Sequence, residues 1–432
     1  YTPESLKSAS PMTDLNRERK RIQMSAANSA AVKKGDDKVE TQSLKELLLG
    51  NARSYGIFFA LVVVIIVFQI LTGGRLLNPN NVVALFQQNA YVLIAAIGML
   101  MVIIATHIDL SVGSVVAFIG GVGALAMKNW GLNWFLAIIL MIVIGLAIGA
   151  WHGFWVAYVG VPGFVTTLGG MLIFRGLATV VAGESIPVSD PTFRAISKDY
   201  LPNIFGFWGD FSSNAIIVGV VAIVLVIWMQ LRKRNNAIKN GLPVQPMSFV
   251  VLKLVVAVAV IAYVTYLLAC SGNSTQGGIP IVMLIIGVLI GVYWFALNRT
   301  VYGRNVYAVG GNRKAAILSG IDTKATDFKI FLNMGFLTSI AAIITLSRLA
   351  SATAQTGMEF EMDAIAACFI GGTAVTGGIG TIPGAMVGAL IMGVLNQGLS
   401  IMGVDAAWVK TIKGLVVIAA VAYDLVSKRK KG

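Results

Sequence analysis

The sequence predicts an all-α, polytopic membrane protein of about twelve transmembrane helices, some short or broken, with an inverted internal repeat, and three observations carry that expectation. Of 432 residues, 57% are hydrophobic and only 12% charged, and the mean hydropathy of +0.81 suits lipid rather than water as the solvent. Apolar runs long enough to cross a bilayer recur along the chain, with Lys and Arg gathered in a few stretches between them, as the cytoplasmic bias of positive charge requires. Two well-separated regions also share a pattern of glycine, threonine and acidic residues.

Residues 1 to 50 come first, polar, rich in Ser and Ala and mixed in charge. Lacking the apolar core of a signal peptide, they read as a cytoplasmic tail expected to be disordered. The membrane domain, 51 to 432, offers apolar runs at 56–72, 81–105, 110–128, 133–158 and 163–182. Further runs fall at 213–231, 248–270, 279–297, 328–350, 362–377, 381–402 and 408–426, most of them near the roughly 20 residues a helix needs to span hydrocarbon. Basic clusters at Arg17 to Arg21, Lys33 to Lys38, Arg232 to Arg234, Arg299 to Lys329 and Lys428 to Lys431 put both termini, the loop 232–247 and the loop 298–327 on the cytoplasmic side. The long loop Gly183 to Ser212, with Pro187, Pro191 and Pro202, then lies outside together with 271–278. Because the basic residues sit in tails and loops and form no single stripe, the net charge of +14 marks topology, and no nucleic acid partner is expected.

The repeat halves are 81–182 and 328–428. Gly149 precedes Phe164 to Leu172 as Gly393 precedes Trp408 to Val416, and His152 falls opposite Asn396. Asp109 and Asp363 each open a helix of small residues. Parity makes the copies antiparallel, the inverted plan of many transporters.

Little here resembles enzyme chemistry. No GxxxxGK[ST] loop is present to cradle nucleotide phosphates, two histidines rule out a His-rich metal site, and Cys270 and Cys368 allow no disulfide framework. No cofactor and no catalytic residue is expected. His107 and Asp109 suggest a proton relay, but residues two apart point to different helix faces, so Asp109 and Asp363 read as helix caps. Gly145, Gly149 and Gly153, and likewise Gly380, Gly384 and Gly388, mark close-packed or sliding helix faces. Gly371 and Gly372 belong to a span too glycine-rich to be a stiff rod, a hinge or broken helix. Uncharged polar groups at Gln87, Gln88, Asn89, His152, Thr166, Thr167, Asn396 and Gln397 suit the translocation path of a neutral, polyhydroxylated solute, although they equally bond neighbouring helices.

The segment Tyr302 to Ile321 is a basic, glycine-bracketed stretch between apolar runs. Gly310 and Gly311 are expected to break the preceding structure, Asn312 to cap a short helix containing Arg313, Lys314, Ala315, Ala316 and Ser319, and Gly320 to stop it in the left-handed conformation. So short a helix is marginal in water, so it reads as a cytoplasmic handle that gains order against a partner. A chain with such a handle, no ATP site and no convincing ion relay is driven from outside itself.

Asn89 to Ser114, with Gly98-Met99 and Ile108-Asp109-Leu110-Ser111-Val112-Gly113-Ser114, is one diagnostic stretch. The segment Pro162 to Met171 with Phe174-Arg175-Gly176, and Met362 to Cys368 with Ile370-Gly371-Gly372, are two more. Together they resemble the permease subunits of bacterial monosaccharide ABC importers over about residues 56–428, and the extra hairpin at about 232–278 resembles the xylose and multiple-monosaccharide branch. The resemblance implies a homodimeric pore in the bacterial plasma (inner) membrane, an ATPase subunit on the cytoplasmic handle and an extracytoplasmic sugar-binding protein. That protein is expected to meet charges on the 183–212 loop, with Glu359 and Glu361 bordering the same surface. Lys314 departs from the family, whose handle carries Glu there. The alternatives are an ABC permease for an autoinducer sugar, nucleoside or branched-chain amino acid, and an ion-coupled transporter using His107, Asp109 and Asp363.

Overall fold

A computed structural model describes residues 52–241, 244–273 and 276–429; the expectation for the tail, residues 1–50, lies outside the described residues. The described residues are mainly helical, and among them eight helices are long and apolar enough to cross a membrane. In chain order the first are α1 (Ala52–Leu71), α2 (Pro79–Ile104), α3 (Val112–Lys128), α4 (Trp134–Phe154, ending in a π-helical turn Trp155–Val159) and α5 (Gly163–Val181). After β1 (Ile186–Pro187), α6 (Pro191–Lys198), β2 (Phe207–Trp208) and β3 (Phe211–Ser212) come α7 (Ser213–Lys239), α8 (Met247–Ala269) and α9 (Ile281–Arg299). The rest are α10 (Val301–Gly311), α11 (Arg313–Leu318), α12 (Thr323–Leu349), β4 (Ser351–Ala352), α13 (Phe360–Ile370), α14 (Ile382–Ile401) and α15 (Ala406–Arg429).

Two compact units are distinguished. Of the smaller, the described part is Leu225–Val256, from α7 into α8. It is basic, with the Arg232 guanidinium 4.9 Å over the Trp228 ring. The larger is Asn51–Val224 with Ala257–Gly432, and its core runs through α2, where every residue from Val92 to Ile104 is buried. A helix surrounded by other helices has no polar face to keep, hence its unbroken apolar sequence.

Packing around α2 is reciprocal: α4 lies along α12 while α14 lies along α2, and α3 packs on α4 and α5 as α13 packs on α14 and α15. Gly145 and Gly149 of α4 meet Gly335 of α12 backbone to backbone, the close approach that small residues permit.

Two of the twelve apolar runs form shorter helices. That at 110–128 forms the 17-residue α3, whereas that at 56–72 lies in the 20-residue α1. That at 362–377 becomes the 11-residue α13, ending at Gly371 with Gly372 left-handed (φ 86°). The run at 408–426 lies in α15, which Lys410 and Lys413 make more polar. Both α3 and α13 begin inside the protein after non-helical approaches, and Gly113 abuts Gly357 at the point where their starts meet. Two expectations need correction. The 183–212 loop contains α6, capped by Asp190, whose carboxylate accepts from Phe193 N at 2.9 Å. Gly310 and Gly311 do not break α10 but complete it; a Cβ on Gly310 would lie 1.6 Å from Ile104 O, so the glycine serves a close crossing and not a stop.

Candidate functional site

At the handle, local sequence dictates the geometry. Asn312 Oδ1 accepts from Ala315 N at 3.0 Å, Ser319 Oγ donates to Ala315 O at 2.9 Å, and Gly320 ends the turn at φ 79°. Of the six residues of α11, Ala316 is buried, whereas Lys314 and Ala315 are exposed. Ile317 and Leu318 are 55% and 89% exposed, so the helix offers an apolar pair outward and roots itself through Ala316. Arg313 anchors it further by an ion pair with Asp327 of α12. Asp327 is fully buried, and its other oxygen lies 3.4 Å from His107 Nε2. His107 therefore faces Asp327, not Asp109. Below the handle Tyr307 donates to Gly380 O at 2.7 Å, and burial raises its pKa above the ordinary phenol value, keeping it a donor. The neighbouring Tyr302 is pushed up to about 12 by the same cause.

A second constellation surrounds the starts of α3 and α13. Asp109 Oδ1 accepts from Ser111 N at 2.8 Å and Ser111 Oγ at 2.6 Å, organising the turn before α3. The free N–H of Gly113, however, donates to Glu361 of α13 at 3.1 Å, so the far half of the chain caps α3. Glu361 is buried for that purpose and does not border an outer rim, which corrects the expectation for it. Asp363 is not a cap either. It stands inside the first turn of α13 and is bonded by Lys413 at 3.0 and 3.1 Å, Tyr91 Oη at 2.7 Å and Asn396 Nδ2 at 3.3 Å. One step along, Lys410 pairs with Glu359 at 2.7 Å. A buried carboxylate needs such compensation to stay charged, and Lys410 and Lys413 on one helix match Glu359 and Asp363 on the other.

The polar path candidates are not gathered around one channel. Thr167 accepts from Leu110 N and donates to Ile108 O, each at 3.1 Å, and Thr166 donates to Pro162 O; both staple backbone. Asn89 and Asn396 bond each other at 3.0 Å. Gln397 is buried with its Oε1 unpartnered. His152 is buried with Nε2 turned to the bare backbone of Gly170. Of the eight, Gln87 and Gln88 stand on the wall of a cleft. Lys413, Tyr91 and Asp327 escaped the sequence reading as site residues, and Glu361 entered it only as a rim residue. Lys410 and Lys413 within an apolar helix were a readable signal for buried partners.

Residues 81–421 match the family described as branched-chain amino acid transport system permease component. The chain is similar to the xylose transport system permease protein of Haemophilus influenzae, 36% identical over 381 residues, 88% of this chain and 98% of that one. Similarity to the xylose transport system permease protein of Escherichia coli is 36% over 381 residues, 88% of this chain and 93% of that one. The D-allose transport system permease protein of Escherichia coli is 31% identical over 375 residues, 87% of this chain and 92% of that one. No solved structure matches.

Proposed function

The chain belongs to the family of branched-chain amino acid transport system permease components, and from that premise we propose that it is the membrane subunit of an ATP-driven importer of a monosaccharide, D-xylose or a close relative. The observation that carries the solute is the match to a xylose permease over 98% of that protein's length, which spans the whole permease body. The family description alone names a different solute; the sugar-permease relatives favour the sugar. As a permease component the chain is a transport subunit and no enzyme.

In this reading Arg313 to Gly320 form the seat of a separate ATPase subunit, with Ile317 and Leu318 entering its groove and the Arg313–Asp327–His107 contact passing movement to the approach of α3. Both termini and the handle face the cytoplasm of a bacterium, and an extracytoplasmic sugar-binding protein delivers the solute to the opposite side. Two copies enclose the pore within the lipid bilayer. Asp109, Asp363, Gly149, Gly371 and Gly372 belong to the gating apparatus, at the starts, crossings and ends of helices that must shift. The inverted halves, 81–182 and 328–428, supply the two-fold framework for alternating access.

The test is reconstitution of the permease in vesicles with an ATPase subunit and a sugar-binding protein of a xylose importer. Labelled xylose should accumulate only with ATP and binding protein together. Accumulation driven by a proton or sodium gradient without ATP would establish a secondary transporter instead.

A further inference from the structure

α12 is 27 residues long, about 40 Å, so its last turns lie at the end of the protein remote from the handle. There α2, α12 and the approach to α13 enclose a cleft of about 320 Å³. Its walls include Gln88 and Tyr91, Thr345 and Arg348, Gln355 and Phe360. The Tyr91 and Phe360 rings are stacked, 13° from parallel, and extend an apolar lining that also includes Ile344, Leu349 and Met358. Arg348 is half-buried, yet the acids placed in ion pairs among the described residues, Asp327, Glu359 and Asp363, are taken by other bases.

Resting on the sugar-permease reading, we propose that this cleft is a receiving site of the permease itself for a monosaccharide, in which Arg348, Gln88 and Gln355 hydrogen-bond ring hydroxyls against the Tyr91 and Phe360 wall. The chemistry selects that class. A guanidinium offers five donors in a rigid fork, each amide offers both donors and an acceptor, and together they satisfy vicinal hydroxyls without requiring a charge on the solute. A volume at the low end of the roughly 300–1,000 Å³ of ligand sites holds one small ring. A simple anion would use the guanidinium alone and leave the amides and rings without a task. Tyr91 also links the cleft to the gating constellation, since its hydroxyl is bonded to Asp363, the partner of Lys413.

The experiment uses the full-length permease in nanodiscs with Cys270→Ser and a reporter, Met358→Cys, at the rim of the cleft, where Met358 is 52% exposed. Millimolar D-xylose should slow maleimide labelling several-fold, with sodium chloride at equal concentration as the anion control. Arg348→Gln and, separately, Gln88→Ala should abolish the protection, the second guarding against misfolding of the first. Labelling indifferent to xylose, or slowed equally by chloride, overturns the site. Uptake by the reconstituted importer is measured alongside: uptake without protection refutes the cleft and spares the transport reading, whereas protection without uptake does the reverse.

Discussion

Lys413 compensates a carboxylate that burial would otherwise make untenable as an anion, since Asp363 is only 2% exposed and both its oxygens lie within 3.1 Å of the ammonium. Removing one partner strands the other charge, typically at about 3–5 kcal/mol, whereas removing both is often close to neutral. Lys413→Met is therefore expected to lower the thermal midpoint of the purified permease sharply, and Asp363→Asn with Lys413→Met to recover most of the loss. A double-mutant cycle with no coupling between the two positions would show that the pair does not hold α15 to α13. Asp363 was conspicuous in the sequence as an acid beside small apolar residues, but its role was not. Helix capping is a local inference, and the decisive partner lies 50 residues further on, reachable only once α13 and α15 are packed.

For α11, burial decides what a substitution tests. Ala316 faces the protein and Leu318 faces out, so Leu318→Glu is expected to leave stability within about 0.5 kcal/mol, as surface changes usually do, while abolishing stimulation of ATP hydrolysis by loaded binding protein. Normal stimulation in folded Leu318→Glu protein would remove α11 from the ATPase contact. Ala316→Glu instead overfills packed space, costing about 1–3 kcal/mol or more, and reports on folding before coupling. For α10, Gly310→Ala drives a methyl into the Ile104 carbonyl; a circular dichroism melt unchanged from the parent would mean that the α2–α10 crossing yields to the added methyl without cost. The caps of α11, Asn312 and Gly320, were readable because they act within one turn. Gly310 was misread because its constraint comes from a residue some 200 positions earlier. The α6 helix had its own local signal, Asp190 before Pro191, an N-cap followed by proline at the first helical position, hidden by the prolines around it.

At the scale of the molecule, hydropathy alone located the spans, because a helix in lipid must be apolar along its length whatever it packs against. What it did not locate was the meeting of the shorter helices α3 and α13, whose approaches touch at Gly113 and Gly357. Their irregular approaches survive at membrane depth because protein surrounds them. Arg175 Nη1 bonds Ala354 O at 2.6 Å and Thr356 O at 3.0 Å, and Glu361 closes the amide of Gly113. Orientation across the bilayer follows from charge. Arg299, Arg304, Arg313, Lys314, Lys324 and Lys329 crowd the handle side, and the positive-inside bias is the ground for the proposal that this side faces the cytoplasm. The 183–212 loop, between α5 and α7, falls on the other side in this proposal, which makes Ser189 and Leu318 opposed reporters, both exposed. In a Cys270→Ser background, Ser189→Cys should react with a membrane-impermeant maleimide from outside intact cells, and Leu318→Cys only after the cells are opened. Reaction of both from the same side would break the alternation of spans on which the cytoplasmic handle, the external loop and the inverted repeat all depend; reversal of the two would keep the fold and turn the whole molecule over.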